Sequence, residues 1–245
     1  MNTQAIWESS YGEPAIVIIT LSIGYLCYLF ISHSKFLHKS LLKIFGKTNI
    51  TFPQIIIQRL TGVFFYGIIP LLLTIFILPA SLKDYGLNSI HSVKSLYWIL
   101  ALSAFIIPFY LIGAKRTENL KSYPQIRVKE WNFNIFFLST VSWIAYLFSY
   151  EFMLRGFLFF SFIRFAGEIP AVLINVFIYA LVHIHKGINE ILASFPFGII
   201  LCLMTLSTGS IWAAFVIHVI LALSHEWISL HLNPEMNIKW KGKKK

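Results

Sequence analysis

"FNIFFLSTVSWIAYLFSYEFMLRGFLFFSFIRF", residues 133–165, decides how the rest of the chain is read. It is apolar for thirty-three residues, yet Glu151 and Arg155 sit four positions apart in its "YEFMLRGFLFF" segment. A membrane-crossing helix needs roughly 20 apolar residues. This stretch exceeds that: at ~1.5 Å per residue it would reach near 50 Å, against a ~30 Å hydrocarbon core. It must tilt or break.

The whole chain fits a membrane reading. Of its 245 residues 57% are hydrophobic and 12% charged, and the mean hydropathy is +0.73. Soluble domains carry about 25% charged residues, so this apolar surface has no water-soluble core large enough to hide it. The apolar runs are of helical-span length and lack the ~10-residue alternation of a membrane barrel. The expected fold class is therefore all-α, a polytopic transmembrane bundle.

Working outward, spans are expected near residues 15–31, 62–79, 96–114, 133–165, 171–183, 191–206 and 211–231. That is seven, or eight segments if 133–165 is broken. Lysines and arginines gather at 32–58, 115–130, Lys186 and the "KWKGKKK" tail, whereas the links at 80–92, 166–170 and 207–210 carry almost no net positive charge. The positive-inside rule puts the basic set in the cytoplasm with the C-terminus, and the N-terminus outside. In a bacterium this is the inner (plasma) membrane. Residues 1–14 hold Glu8 and Glu13 but no Lys or Arg, unlike the basic start of a signal peptide, so the first run reads as a retained span. Cys27 and Cys202 each lie in an apolar run and do not suggest a disulfide framework. Three parts follow: N-terminal spans with basic loops (1–132), a core holding the polar residues (133–232) and a basic tail (233–245). The formal charge of +10 serves topology rather than nucleic acid.

Ionisable residues are concentrated in the last four spans: Glu151, Arg155, His183, Glu190, His218 and His225. Intramembrane ionisable groups are costly and mark function by default. On a helix, Glu151 and Arg155 share one face within pairing reach, as a structural ion pair or as a carboxylate held anionic to accept a proton from water. His183 lies near the end of its span, where an interfacial histidine is the plainer reading. His218 falls well inside "SIWAAFVIHVILALS" and needs a partner there. His225 follows seven residues on, on the same face. Glu190 complements the dipole at the start of its helix.

Several chemistries are excluded. Asp84 is the single aspartate, so a two-aspartate protease is impossible. "HEWISLH" (225–231) spaces its histidines six apart, not the four a zinc-protease helix needs. There is no G-x-S-x-G elbow and no Gly-rich phosphate loop. A small-solute transporter with a proton relay stays open but ranks last, because the paired repeats expected of one are not found.

"YEFMLRGFL", "YALVHIHKGINE" and "SFPFGIILCLMTLSTGSIWAAFVIH" together resemble the three signature regions of the CPBP family, the CAAX proteases and bacteriocin-processing enzymes also called the ABI family. The family pattern E-E-x-x-x-R, F-x-x-x-H, H-x-x-x-N is met here by Tyr150-Glu151-x-x-x-Arg155, Tyr179-x-x-x-His183 and His218-x-x-x-Ala222. The resemblance implies intramembrane proteolysis by an endopeptidase that cuts a membrane-anchored peptide or protein near the cytoplasmic interface. It implies Glu151 as base or orienter held by Arg155, His183 as its partner and His218 as the oxyanion donor. Tyr150 and Ala222 depart from the pattern, which matches a branch with a single glutamate. His225, Glu190 and Tyr150 stand as accessory candidates, with His225 one turn beyond Ala222 as a replacement donor. The departures also fit a catalytically silent member acting as scaffold, regulator or bacteriocin self-immunity protein. No cofactor is implied; Glu and His could ligate zinc, but the arginine competes for the carboxylate.

Overall fold

The computed structural model describes residues 11–88, 93–113, 117–184 and 187–240. Glu8, Lys115, Arg116, His185, Lys186 and the tail lysines from 241 onward lie outside the described residues.

The elements are helices throughout, apart from one short ladder. In chain order they are α1 (Gly12–Ser32), α2 (Lys35–Asn49), α3 (Thr51–Phe76), α4 (Val93–Gly113), α5 (Thr117–Ser122), α6 (Phe133–Ala166), α7 (Glu168–Leu181), α8 (Ile188–Thr208) and α9 (Trp212–Leu232). Strands β1 (Glu130–Trp131) and β2 (Asn237–Ile238) pair in parallel. Five helices are long and apolar enough to cross a membrane: α1, α3, α6, most of α8 and α9. Shorter apolar helices occupy the other two expected positions, in α4 and α7. The chain is an integral membrane protein with a polytopic helical bundle.

Local chemistry sets the ends. Asn132 caps α6, its side chain accepting from the Ile135 amide at 2.9 Å. Gly167, at φ +88°, stops α6 where an L side chain would be strained, and the next residue starts α7. Ser81 and Asp84 cap each other around the short 3-10 turn Leu82–Tyr85.

Two expectations need correction. The basic stretch 32–58 is not a loop: it holds α2 and the first turns of α3. Lysines every fourth residue kept α2 from reading as apolar, although that spacing is helical. The second span begins near Thr51 rather than Gly62, because its early turns mix polar and apolar residues and fall below a hydropathy threshold. The long stretch does not break. Residues 133–166 stay helical, with a π-helical section at Phe152–Leu158. The excess length is absorbed at its start. There Ile135 and Phe136 pack into a small cap whose buried residues are Ile126, Val128, Trp131, Leu230 and Met236. The cap also gathers Phe52 and Ile55 of α3, so the ends bordering three of the basic segments meet at one end of the bundle.

Helix α6 is the centre of the fold. Its π section is buried along its whole length, within a core that also takes Val17, Tyr66, Ala171, Val176 and Cys202 from four other helices. Close approach to α3 depends on two glycines. A Cβ on Gly62 would fall 2.3 Å from the Tyr146 ring, and one on Gly67 would fall 2.4 Å from Ser149 Oγ. Small residues serve this purpose between membrane helices, where contact rather than water exclusion drives association.

Candidate active site

The charged pair in α6 lies where the π section begins. Glu151 and Arg155 are both fully buried, with Arg155 Nη1 3.4 Å from Glu151 Oε1. The same oxygen accepts from Nδ1 of His218 at 2.6 Å, reached from α9. Burial of two opposite charges together is tolerable where burial of either alone is not. Glu151 Oε2 and Arg155 Nε have no hydrogen-bond partner among the described residues. A buried unsatisfied polar group costs about 1–3 kcal/mol, and such costs concentrate at working sites.

Helix α7 supports this cluster with one stripe of side chains spaced by four. Tyr179 lays its ring under the Arg155 guanidinium, 4.3 Å from centre to carbon. The His183 ring lies tilted against Tyr179, centres 4.6 Å apart, and donates from Nδ1 to the Tyr179 carbonyl at 2.8 Å. Asn175 is completely buried. Its amide nitrogen donates to the Leu154 carbonyl at 2.6 Å, and its oxygen accepts from the Cys202 thiol at 3.3 Å. That carbonyl belongs to the π section, so Asn175 ties down the irregular turn that carries Arg155. π-Bulges of this kind recur at functional sites.

These groups border a cavity of about 540 Å³. Its wall includes Tyr150, Tyr179, His183 and His218 at one end, whereas Glu151 and Arg155 sit behind it. His218 is therefore the link between the buried carboxylate and the cavity. With Nδ1 engaged by Glu151, Nε2 is the nitrogen left to face a substrate.

The structure thus brings Glu151, Arg155 and His218 into direct contact and joins His183 to them through Tyr179. The histidine on the carboxylate is His218, not His183, because α9 rather than α7 passes beside Oε1. Tyr150 fills the wall next to His218, with ring centres 5.8 Å apart, and its buried hydroxyl has no partner among the described residues. Ala222 lines the same cavity one turn from His218. His225 and Glu190 reach the wall further along. There His225 donates to Asn119 Oδ1 at 3.2 Å and packs at a tilt against Tyr123, ring centres 4.6 Å apart. Both cysteines are free thiols. Among the described residues no three His, Cys, Asp or Glu side chains form a metal-binding group.

A second buried ion pair escaped the sequence. Arg59 of α3, at the far end of the cavity, lies 3.6 Å from Glu226 of α9. Its guanidinium also donates to the Ser139 carbonyl at 2.7 Å, to Ser142 Oγ and to Gln125 Oε1, and it covers the Trp143 ring at 4.0 Å. Glu226 in turn accepts from the Gln125 amide at 3.0 Å. Two lone charges on distant helices give no local pattern. The available signal was that Arg59 and Glu226 both stand within helical stretches bordered by apolar residues. Asn175 was more legible, since Asn175, Tyr179 and His183 follow one face at intervals of four.

No curated protein and no solved structure matches the chain. A family model does: residues 131–224 match the type II CAAX prenyl endopeptidase Rce1-like family. The matched segment holds Glu151, Arg155, His183 and His218 and stops just short of His225 and Glu226. The family is one of membrane endopeptidases. That match, over less than half of the chain, supports a place in the CPBP family, whose three signature regions this sequence resembles.

Proposed function

We propose that the chain is a membrane-embedded endopeptidase in which a Glu–His pair activates water to cleave a membrane-anchored peptide or protein near the cytoplasmic face. One observation carries this reading: a fully buried carboxylate hydrogen-bonded at 2.6 Å to a histidine on the wall of a substrate-sized cavity. Glu151 fixes the His218 ring and stabilises its protonated form, as the carboxylate does in a nucleophile–His–Asp triad. Arg155 keeps Glu151 ionised. His218 Nε2 takes a proton from water as the water oxygen bonds to the scissile carbonyl carbon. The resulting oxyanion is met by His183 on the same wall, through an Nε2–H that the ring carries when doubly protonated, since Nδ1–H is spent on the Tyr179 carbonyl. The C–N bond then breaks, and the imidazolium returns its proton to the leaving amine. Lys and Arg bias supports a cytoplasmic C-terminus, an outer N-terminus and, in a bacterium, the inner membrane.

The test is cleavage of a membrane-anchored reporter peptide by purified protein in liposomes. Glu151→Gln and His218→Asn each lower turnover by ~10³-fold or more, and His183→Ala by ~10²–10³-fold. Wild-type-like turnover in Glu151→Gln or His218→Asn overturns the proposal. Tyr150 and Ala222, where the family pattern has Glu and Asn, favour a second reading: a silent member serving as scaffold, regulator or bacteriocin self-immunity factor. In that case the cellular phenotype survives Glu151→Gln and no cleavage is detected for any variant.

A further inference from the structure

Helix α2 is charged but not uniformly polar, and it is placed between two spans. Only His33 and Ser34 separate it from α1, and α3 follows directly. Both neighbours are long and apolar enough to cross the bilayer. The end of α1 thus delivers α2 to the level where the chain leaves the hydrocarbon. Ser34 caps it, accepting from the Leu37 amide at 3.2 Å. A kink at Gly46 (φ +71°) ends its regular part, 35–45.

The residues around that regular part sort into three strips. Lys35, Lys39 and Lys43 recur every fourth position and span an arc of roughly 80° at 3.6 residues per turn; all three are exposed. Next to them come Phe36 and Ile44, which are 82% and 72% exposed. On the side away from the lysines, Leu41 is buried and α2 packs on α3. The helix contains no acidic residue. An exposed phenylalanine and isoleucine beside a lysine row, with the opposite seam fixed to the protein, is the arrangement of a helix lying in the headgroup region: apolar side chains dip below the phosphates and lysine stems reach back up to them.

We propose that α2 is an anionic-lipid docking surface, with Phe36 and Ile44 inserted at the acyl boundary and Lys35, Lys39 and Lys43 holding lipid phosphates. The site needs no peptidase activity, so its fate is independent of the function proposed above. Each lysine near such a surface strengthens association with anionic lipid by up to ~fivefold, and added salt erodes that gain.

The experiment uses full-length protein in nanodiscs, in a Cys27→Ser background, since Cys202 is wholly buried and inert to labelling. A bimane fluorophore is attached at Ile44→Cys or, on another face of the helix, at His38→Cys. At equal mole fraction, brominated phosphatidylglycerol quenches the position-44 label at least twofold more than brominated phosphatidylcholine. Aqueous iodide quenches position 38 more than position 44. The glycerol-lipid preference disappears in the Lys35→Gln, Lys39→Gln, Lys43→Gln triple variant. Raising salt from 50 mM to 0.5 M removes it in the unsubstituted helix, a readout that does not depend on the triple variant folding. Equal quenching by the two brominated lipids at low salt overturns the proposal. So does iodide reaching both positions alike, or shielding of position 44 from lipid and iodide together, which would mean that protein covers this face.

Discussion

Removing one partner of the buried α6 pair should be far more damaging than removing both. The Arg155 guanidinium and the Glu151 carboxylate are fully buried, 3.4 Å apart. At an effective dielectric of about 20 their attraction is about 5 kcal/mol. Glu151→Gln forfeits it and strands the arginine. A loss of about 3–5 kcal/mol follows, the range for breaking a buried pair. Arg155→Met strands the carboxylate instead, with His218 Nδ1 at 2.6 Å as its remaining donor, and costs about 2–4 kcal/mol. The double variant carries neither charge and loses only about 1 kcal/mol, the scale of an imperfectly bonded buried amide. The coupling energy is therefore about 3 kcal/mol or more, a ~10²-fold non-additivity in the unfolding equilibrium. Reversible unfolding of the four proteins in bicelles, by steric trapping or denaturant titration, reads it directly. Additive single effects, or a coupling below about 1 kcal/mol, would refute the arrangement, whatever the protein's activity.

Ala222→Asn, adding an amide donor to the cavity wall one turn from His218, raises turnover of the reporter peptide by ~10-fold or more, since an oxyanion donor is worth up to ~10²–10³-fold; an unchanged or lower rate counts against an oxyanion forming there. Asn175→Ala costs about 1–3 kcal/mol by freeing the Leu154 carbonyl. Asn175→Asp is at least as destabilising, because a carboxylate cannot donate to that carbonyl, and thermal unfolding that finds the aspartate neutral disproves the contact. Asp84 lies outside the spans, and hydrogen bonds from the Ser81 hydroxyl and then the Ser81 amide hold its carboxyl below the usual range. A depressed carboxyl contributes while pH stays above its unfolded value of about 4 and ceases to as pH falls through the lower folded value. Hydrogen exchange at the Ser81 amide therefore accelerates on acidification beyond its intrinsic rate, and Asp84→Asn removes that dependence; a pH-independent protection factor in the wild type contradicts it.

The class of fold was legible because composition leaves no alternative to lipid for so many apolar residues. The helical positions followed from the runs themselves. Amphipathic stretches were harder. The lysines of α2 and the polar start of α3 diluted the local hydropathy, although their spacing was helical throughout. In the site, residue types were legible and pairings were not. Glu151, Arg155 and His218 stood out as ionisable groups among apolar neighbours. Which histidine reaches the carboxylate depends on the depth and rotation of α7 and α9, and two intervening helices separate that information from the local sequence. Arg59 and Glu226 were invisible for the same reason, more severely: each looks like a helix-end charge until the far helix is placed beside it.

That second pair has a consequence for biogenesis. Two cationic side chains enter the bilayer early, Arg59 with α3 and Arg155 with α6, while Glu226 and His218 arrive only with α9. A nascent chain halted before its last helix holds Arg59 without its carboxylate and Glu151 without its imidazole, in surroundings that penalise both. Insertion of α9 and neutralisation of these two buried groups thus coincide. Until α9 is in place, each of these groups carries a charge that the bilayer interior penalises.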